Sequence, residues 1–175
     1  MAKSVAKYKG FYIARYEAGK KTIDTTTTEA DYTSYKGQVT MSAAWVSKAW
    51  YGFYQRLRGT KSDTNSTMIW GCQYDQVMRF IGEETEIGHN DRGLAGSLKT
   101  SGAVPKDLMK NIYDLEGNYF EWTVEAQNTS KRIFRANAFD NIGSNHNYYS
   151  PNQINNYREP NFAGHTYGAR ATLYL

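Results

Sequence analysis

Cysteine is nearly absent from this chain of 175 residues, and Cys72 is its only instance. One thiol cannot form an internal disulfide framework, and it cannot supply the several thiolates of a cysteine-based zinc cluster. Both kinds of site are therefore excluded. A lone cysteine usually behaves as a small buried hydrophobe, so we expect Cys72 to lie in the core.

Histidine is also scarce, and His89, His146 and His165 stand alone without an H-x-x-x-H pair. Metal binding requires several imidazoles or carboxylates that converge on one ion, and this spacing does not favour it. The phosphate-binding loops G-x-x-x-x-G-K and G-x-G-x-x-G are missing. Hydroxyls and carboxylates are too common for their spacing to indicate a Ser-His-Asp arrangement. The sequence therefore predicts no metal, no cofactor and no catalytic residue.

Long apolar runs and long basic runs are missing as well. No stretch approaches 18 consecutive apolar residues, so no membrane insertion is predicted. The opening residues MAKSVAKYKG lack the apolar region of a signal peptide, while assembly into a virus particle stays open as a route of export. The net charge is +4, but no run of lysine and arginine exceeds two residues, so we expect no nucleic-acid partner.

Aromatic residues, in contrast, are abundant. The chain has 15 tyrosines and 4 tryptophans, and many of the tyrosines stand in polar surroundings. An exposed tyrosine offers a large contact area and a hydroxyl group, with only two side-chain torsions to freeze. The hydrophobic fraction of 40% and the charged fraction of 22% are ordinary for a globular protein. Length and composition together predict one domain over residues 1–175 with a single core.

Two helices are predicted from hydrophobic spacing. Over residues 40–58, the side chains of Val46, Trp50, Phe53 and Leu57 fall on one face. Thr40 or Ser42 can cap the start of this helix, and Gly59 can end it in a left-handed conformation. The second helix is predicted over residues 71–81, with Gly82 as its stop and with an inward face formed by Val77, Phe80 and Ile81.

Strands are predicted around these helices. Residues 11–16 (FYIARY) are aromatic and β-branched and precede a turn at Gly19. Residues 132–139 and 168–175 are each predicted to form a strand. Residues 22–36 and 83–105 are polar and are predicted to form loops, the second of them unusually long.

Residues 111–123, NIYDLEGNYFEWT, carry a spaced pattern, N-x-x-D-x-x-G-N-x-x-E-W-T. It closely resembles the signature of the formylglycine-generating-enzyme family, also called sulfatase-modifying factors. FYIARYEAG, IWGCQYDQVMRFI and GARATLYL resemble further family elements, in the family's order. The residues that carry the signature are Asn111, Asp114, Gly117, Asn118, Glu121, Trp122 and Thr123.

The resemblance implies an α+β, C-type-lectin-like fold. Two helices would pack on short, twisted antiparallel sheets, with long loops and with the first and last strands paired. The signature residues and Arg170 would then be scaffold. The residue types agree with this role, because Gly117 suits a turn with positive φ, Asp114 can bind the backbone of that turn, and Trp122 suits a core.

The catalytic machinery of the family is not expected here. Formylglycine-generating members bind copper through paired cysteines in their C-terminal part, whereas this chain has only Cys72, in the other half. Related sulfoxide synthases hold iron through histidines, and none cluster in this sequence. Fold does not fix function, so we expect a binding protein and not an enzyme. A divergent metal-dependent oxidoreductase and a purely structural virion protein are the alternatives.

Residues 137–167 form the most unusual segment, NAFDNIGSNHNYYSPNQINNYREPNFAGHTY. It is dense in Asn and Tyr and contains no Lys, Met, Trp, Leu or Val. Amphipathic rings mixed with adaptable hydrogen-bonding side chains are typical of antibody-like binding surfaces. The segment also resembles the variable region of proteins diversified by retroelements, in which mutated adenines change Asn codons. Only Gln153 and Glu159 fall outside the residues that such mutation reaches.

This resemblance implies a ligand-binding surface for a protein or glycan on a target cell, displayed on a phage tail or a bacterial surface. Other subunits of the same assembly are possible partners. The family's R-G-G appears here as Arg135-Ala136-Asn137, which leaves the first variable position open. Half of a calcium-dependent sugar-binding motif, E-P-N at 159–161, is present without its second half, so calcium is not expected. The predicted ligand contacts are Phe139, Asn141, Asn145, Asn147, Tyr148, Tyr149, Asn155, Asn156, Tyr157, Asn161, Phe162, His165 and Tyr167.

Overall fold

A computed structural model describes residues 6–7, 9–20, 39–40, 49–61, 64–81, 100–103, 105, 108–115, 118–136, 157–164 and 166–174. The chain is α+β, with two helices and several small sheets in this part. In chain order the elements are β1 (Tyr12–Ile13), β2 (Gly19–Lys20), β3 (Val39–Thr40), α1 (Trp50–Leu57), β4 (Gly59–Lys61), β5 (Thr64–Met68), α2 (Gly71–Ile81), β6 (Leu108–Met109), β7 (Ile112–Tyr113), β8 (Phe120–Ala126), β9 (Arg132–Arg135), β10 (Tyr157–Arg158), β11 (Tyr167–Ala169) and β12 (Ala171–Tyr174).

Helix α1 covers only the last part of the predicted helix. Its inward side chains Trp50, Phe53 and Leu57 are buried, as their spacing predicts. The predicted start is wrong at Thr40, which pairs with Gly19 in the β2–β3 ladder. Val46 and Ser42 lie outside the described residues.

The end of α1 also differs from the prediction. Arg58 follows the helix with extended backbone angles, φ −88° and ψ 123°. The next residue, Gly59, opens β4 and pairs with Ser66. Gly59 therefore continues the chain into a sheet and is not a left-handed cap.

Helix α2 runs from Gly71 to Ile81, as predicted. Gln73 supports its start, because the Gln73 Oε1 atom accepts a hydrogen bond of 3.0 Å from the Trp70 backbone N–H. The buried face consists of Tyr74, Val77, Met78 and Ile81, which follow helical spacing.

Two side chains of α2 are placed differently from their predictions. Phe80 is 62% exposed, because it lies outside the buried stripe of the helix, and the Lys110 ammonium group lies 4.9 Å from its ring centroid. Cys72 is exposed as well, so its predicted place in the core is wrong. Cys72 and Phe80 each have a buried neighbour in the sequence. The turn of the helix nevertheless places their side chains away from its buried face.

The first four-stranded sheet has the order β1-β12-β5-β4. Its β1 and β12 strands are antiparallel, with Tyr12 opposite Leu173 and Ile13 opposite Thr172. This pairing confirms the predicted contact between the first and last strands. The β1 strand is shorter than residues 11–16, and the predicted turn at Gly19 is a strand position instead.

The second four-stranded sheet has the order β10-β9-β8-β11. The β8–β9 and β9–β10 pairs are antiparallel, but β11 runs parallel to β8, with Ala169 opposite Trp122. An all-antiparallel arrangement was therefore the wrong expectation. The predicted closing strand over residues 168–175 is divided at Arg170, because β11 and β12 belong to different sheets.

The buried apolar side chains form two clusters. One joins α1 to the second sheet and includes Phe53, Trp122 and Phe134. The other surrounds α2 and includes Ile69 and Leu115. Among the described residues, neither helix is long and apolar enough to cross a membrane.

Candidate ligand-binding surface

Arg170 lies where the chain passes from the second sheet to the first. Its side chain is fully buried, and its Nη2 atom lies 2.7 Å from Glu121 Oε1. The same guanidinium group donates to the backbone oxygens of Ala14 at 2.9 Å and Tyr113 at 2.8 Å. One side chain thus links β7, β8 and the residue that follows β1. The signature residue Glu121 supplies the charge that makes a buried arginine possible.

Two further carboxyl groups belong to this buried network. Asn118 Nδ2 donates to Glu17 Oε2 at 2.6 Å. Asp114 Oδ2 accepts from the Ser101 hydroxyl at 3.0 Å and from the Gly102 backbone N–H at 2.8 Å. Asp114 was predicted to hold its own turn. Its described hydrogen bonds instead reach a different loop.

Burial dominates the ionisation of this network. It raises the pKa of Glu17 well above its usual value, and the nearby carboxylates of Asp114 and Glu121 raise it further. Burial also raises the pKa of Glu121, although the Arg170 guanidinium group opposes that rise. Burial raises the pKa of Asp114 as well, although the hydrogen bond from the Gly102 backbone N–H lowers it. All three carboxyls are therefore harder to ionise than exposed ones, and their hydrogen bonds serve the scaffold.

The other signature residues are also placed for a structural role. Trp122 is fully buried in the core. Asn111, Asp114 and Asn118 have positive φ angles of 70°, 55° and 59°, which asparagine and aspartate tolerate better than most residues. Gly117 lies outside the described residues.

Most of the predicted ligand contacts fall where the structure gives no description. Tyr157 lies half-exposed on β10, and the Lys131 ammonium group lies 4.5 Å from its ring centroid. Asn161 is exposed, and Phe162 is 40% exposed. The contacts outside the described residues are Phe139, Asn141, Asn145, Asn147, Tyr148, Tyr149, Asn155, Asn156 and His165.

Tyr167 is a correction to the predicted surface. Its side chain is only 5% exposed, and it lies in β11 at the centre of the aromatic core. Its ring centroid is 4.9 Å from Phe134, 5.2 Å from Phe120 and 5.4 Å from Trp122. Tyr167 therefore packs the scaffold in this conformation and does not face a ligand.

The described strands fix both ends of residues 137–156. The β9 strand ends at Arg135, β10 begins at Tyr157, and Ile133 stands opposite Tyr157 in the ladder. Arg135 is buried and holds the first end, with Nη2 at 2.8 Å from Glu125 and Nη1 at 3.4 Å from Asp75. The segment therefore begins and ends at neighbouring strands of one sheet.

A surface of arginine side chains and aromatic rings continues from β10 to α1, where the buried Trp50 ring supports it. The backbone N–H of Trp50 donates to the Pro160 oxygen at 3.0 Å, and its indole N–H donates to the Thr123 oxygen at 2.7 Å. Tyr54 stacks on the Trp50 ring at 5.0 Å with an interplanar angle of 8°. The Arg132 guanidinium carbon lies 4.8 Å from the Trp50 ring centroid.

Arg158 completes this surface on β10. Its guanidinium carbon lies 5.6 Å from the Phe162 ring centroid and 5.8 Å from that of Phe134. Sequence reasoning singled out Phe162 but missed Trp50, Arg132 and Arg158. Trp50 has helical core spacing, and the two arginines are far apart in sequence, so no local pattern connects them.

The described part of the chain contains no group of three His, Cys, Asp or Glu side chains that could hold a metal ion. His89, His146 and His165 lie outside it. Comparison of the chain with protein-family models, with curated proteins and with solved structures found no match. The functional interpretation therefore rests on the residues of this chain.

Proposed function

We propose that this protein is a non-catalytic ligand-binding domain with a C-type-lectin-like fold of the sulfatase-modifying-factor type. Residues 137–167, apart from the buried Tyr167, carry the ligand contacts and are diversified by a retroelement. The domain serves attachment at a phage tail or a bacterial surface, where its ligand is a protein or glycan on the target cell.

The observation that carries this proposal is the separation of core and surface. Within 157–164 and 166–167, Tyr167 is the only residue that belongs to either buried cluster. The other described core side chains come from elements outside residues 137–167. Substitutions at the described positions 157–164 and 166 thus remove no member of either buried cluster, which a diversified segment requires.

The fold assignment has its own support. The signature residues Glu121 and Trp122 are fully buried, and Arg170 joins Glu121 across the two sheets. The first and last strands pair, and two helices accompany small sheets. These features match what the resemblance implies for a C-type-lectin-like domain, with the parallel β8–β11 pair as an addition.

A display library tests the proposal even while the natural ligand is unidentified. Asn141, Asn145, Asn147, Tyr148 and Tyr149 are randomised together on the displayed domain. We expect most members to stay folded, with protease resistance near that of the parent, and selection against an unrelated folded protein such as lysozyme to yield binders.

The matched control library randomises five core positions: Phe53, Trp122, Phe134, Tyr167 and Ala169. This library should lose protease resistance in most members, because each position is buried. Equal loss of folding in both libraries would overturn the assignment of residues 137–149 as a tolerant binding surface.

Diversification has a separate test in the DNA that surrounds the coding sequence. A reverse-transcriptase gene and a near-copy of the last part of the coding sequence are expected close by. Sibling copies should differ at adenine-rich codons within residues 137–167. Differences spread evenly over the chain would contradict diversification, while leaving the binding role to be judged by the libraries.

A further inference from the structure

Arg132 and Arg158 form a like-charged pair on the second sheet. They are direct partners in the antiparallel β9–β10 ladder. Side chains of such partners share one face, with their Cβ atoms about 4.5–5.5 Å apart, and like charges in this position destabilise a sheet. Two directly opposed arginines therefore repel each other across this ladder.

No acidic side chain pairs with either arginine among the residues that the structure describes. Arg132 Nη1 donates only to the backbone oxygens of Asn128 and Lys131, each at 3.3 Å. Arg158 Nη1 donates to the oxygen of Tyr157 at 3.0 Å. Most donors of both guanidinium groups therefore remain available to a ligand, since each group has five N–H bonds.

Aromatic rings hold the two guanidinium groups in place. Arg132 lies over Trp50, and Arg158 lies over Phe134 and Phe162. Trp50 is itself fixed by its hydrogen bond to Thr123. Cation–π contacts restrain a long side chain without neutralising its charge. The two cations are thus partly ordered before any ligand arrives, which lowers the entropic cost of binding.

We propose that Arg132 and Arg158 together bind a carboxylate group, supplied by an acidic side chain of a protein ligand. This inference rests on the proposed binding function and specifies its ligand. A carboxylate oxygen directed at each guanidinium group would form charge-assisted hydrogen bonds and relieve the repulsion between the arginines. Arg158 lies directly after residues 137–157 rejoin the sheet, and its guanidinium group lies over the ring of Phe162, one of the predicted ligand contacts.

The surroundings favour a protein ligand over a sulfated polysaccharide. Arg, Trp and Tyr are the residue types that contribute most to protein–protein binding energy. Here the exposed Phe162 ring lies beside Arg158, and the half-buried Tyr54 ring stacks on Trp50, which is itself buried. The apolar contact area beside the charged pair therefore comes from Phe162 and Tyr54. A polyanion recognised by charge alone would need a longer basic track than two arginines provide.

The test follows binding of a deca-glutamate peptide by NMR, using the arginine Nε–H signals of the full chain at low ionic strength. Saturable shifts are expected at Arg132 and Arg158. Arg132→Gln and Arg158→Gln should each weaken binding about tenfold or more. Arg132→Lys and Arg158→Lys keep the charge but lose the planar fork, so they should weaken binding also. Thermal melts of every variant verify folding.

The matched control is Arg79→Gln on α2, an exposed arginine outside this surface, which should leave affinity unchanged. Equal weakening by Arg79→Gln, or full affinity in both lysine variants, would mean nonspecific charge attraction and would overturn the proposal. So would preferential binding of dextran sulfate over the peptide at equal charge. None of these outcomes depends on residues 137–156, which the display libraries test. If the libraries yield binders but the arginine variants fail the peptide test, only the carboxylate site is refuted, and the proposed binding function stands.

Discussion

Replacement of Arg170 by methionine tests the polar network that joins the two sheets. The substitution removes a fully buried cation whose guanidinium group lies 2.7 Å from Glu121 Oε1. It also leaves the backbone oxygens of Ala14 and Tyr113 without that donor. Methionine fills much of the same volume, so the main loss is electrostatic and not a cavity.

The expected loss can be estimated from these contacts. Removal of one partner of a buried ion pair costs about 3–5 kcal/mol, because the remaining charge is left uncompensated. Two buried carbonyl groups that lose a donor place the value for Arg170→Met near the top of that range, at about 5 kcal/mol. For a chain of this length, roughly 2–4 °C per kcal/mol predicts a melting temperature lower by about 10–20 °C.

Urea unfolding followed by tryptophan fluorescence measures the loss directly. Arg79→Met, at an exposed position of α2, is the control and should change the free energy of unfolding by about 0.5 kcal/mol or less. The double replacement Glu121→Leu with Arg170→Met should be more stable than Arg170→Met alone, since it removes the uncompensated carboxylate. A loss under about 1 kcal/mol for Arg170→Met would refute the reasoning.

The pH dependence of the Arg170→Met variant has a definite sign. Arg170 lowers the pKa of Glu121 against the upward effect of burial, so its removal raises that pKa further. A carboxyl whose pKa is raised in the folded state stabilises the fold at low pH. This contribution is lost as the pH rises from the pKa of the unfolded state towards that of the folded state. Arg170→Met should therefore be less destabilising near pH 4.5 than at pH 7.5.

Three other predictions concern single side chains. Glu17→Gln should become more stable relative to the parent as the pH rises from 4.5 to 8. Burial raises the pKa of Glu17 in the folded chain, so Glu17 ionises first in the unfolded chain and the parent loses stability as the pH rises. A difference in urea midpoints that does not change with pH would contradict this. Tyr167→Ala should cost about 3–5 kcal/mol in chemical unfolding, whereas Phe162→Ala, at an exposed ring, should cost far less. Equal losses would place both rings in the core. Cys72 should react with Ellman's reagent at one equivalent per native chain, and a thiol that reacts only in denaturant would mean that it is buried.

Hydrophobic periodicity predicted those elements whose buried side chains recur at regular spacing along the chain. Helix α2 has a complete stripe from Tyr74 to Ile81, so both of its ends agree with the sequence. The same stripe left Phe80 and Cys72 outside, although both residue types are usually buried. The Lys110 ammonium group lies over the Phe80 ring. Lys110 is far from Phe80 in the sequence, so the periodicity of α2 could not predict this contact.

Long-range contacts explain the main misses. Residues 168–175 have the composition of one strand, yet Arg170 divides them because its side chain reaches Glu121 between the sheets. Tyr167 was grouped with the Asn/Tyr-rich segment by composition. Its core position follows from its register opposite Phe120, which only the parallel β8–β11 pairing defines.

The candidate surface could be predicted only in part for the same reason. Composition located the segment 137–167, but the opposition of Arg132 and Arg158 depends on the register of two strands that are separated by residues 137–156. A binding segment can vary only if its attachment points do not depend on its own sequence. Arg135 meets that condition at one end, since its partners Glu125 and Asp75 lie on β8 and α2. At the other end, Tyr157 and Arg158 belong to the proposed variable segment, but the pairing of β10 with β9 is made by the backbone. That attachment therefore does not depend on which side chains stand at these two positions.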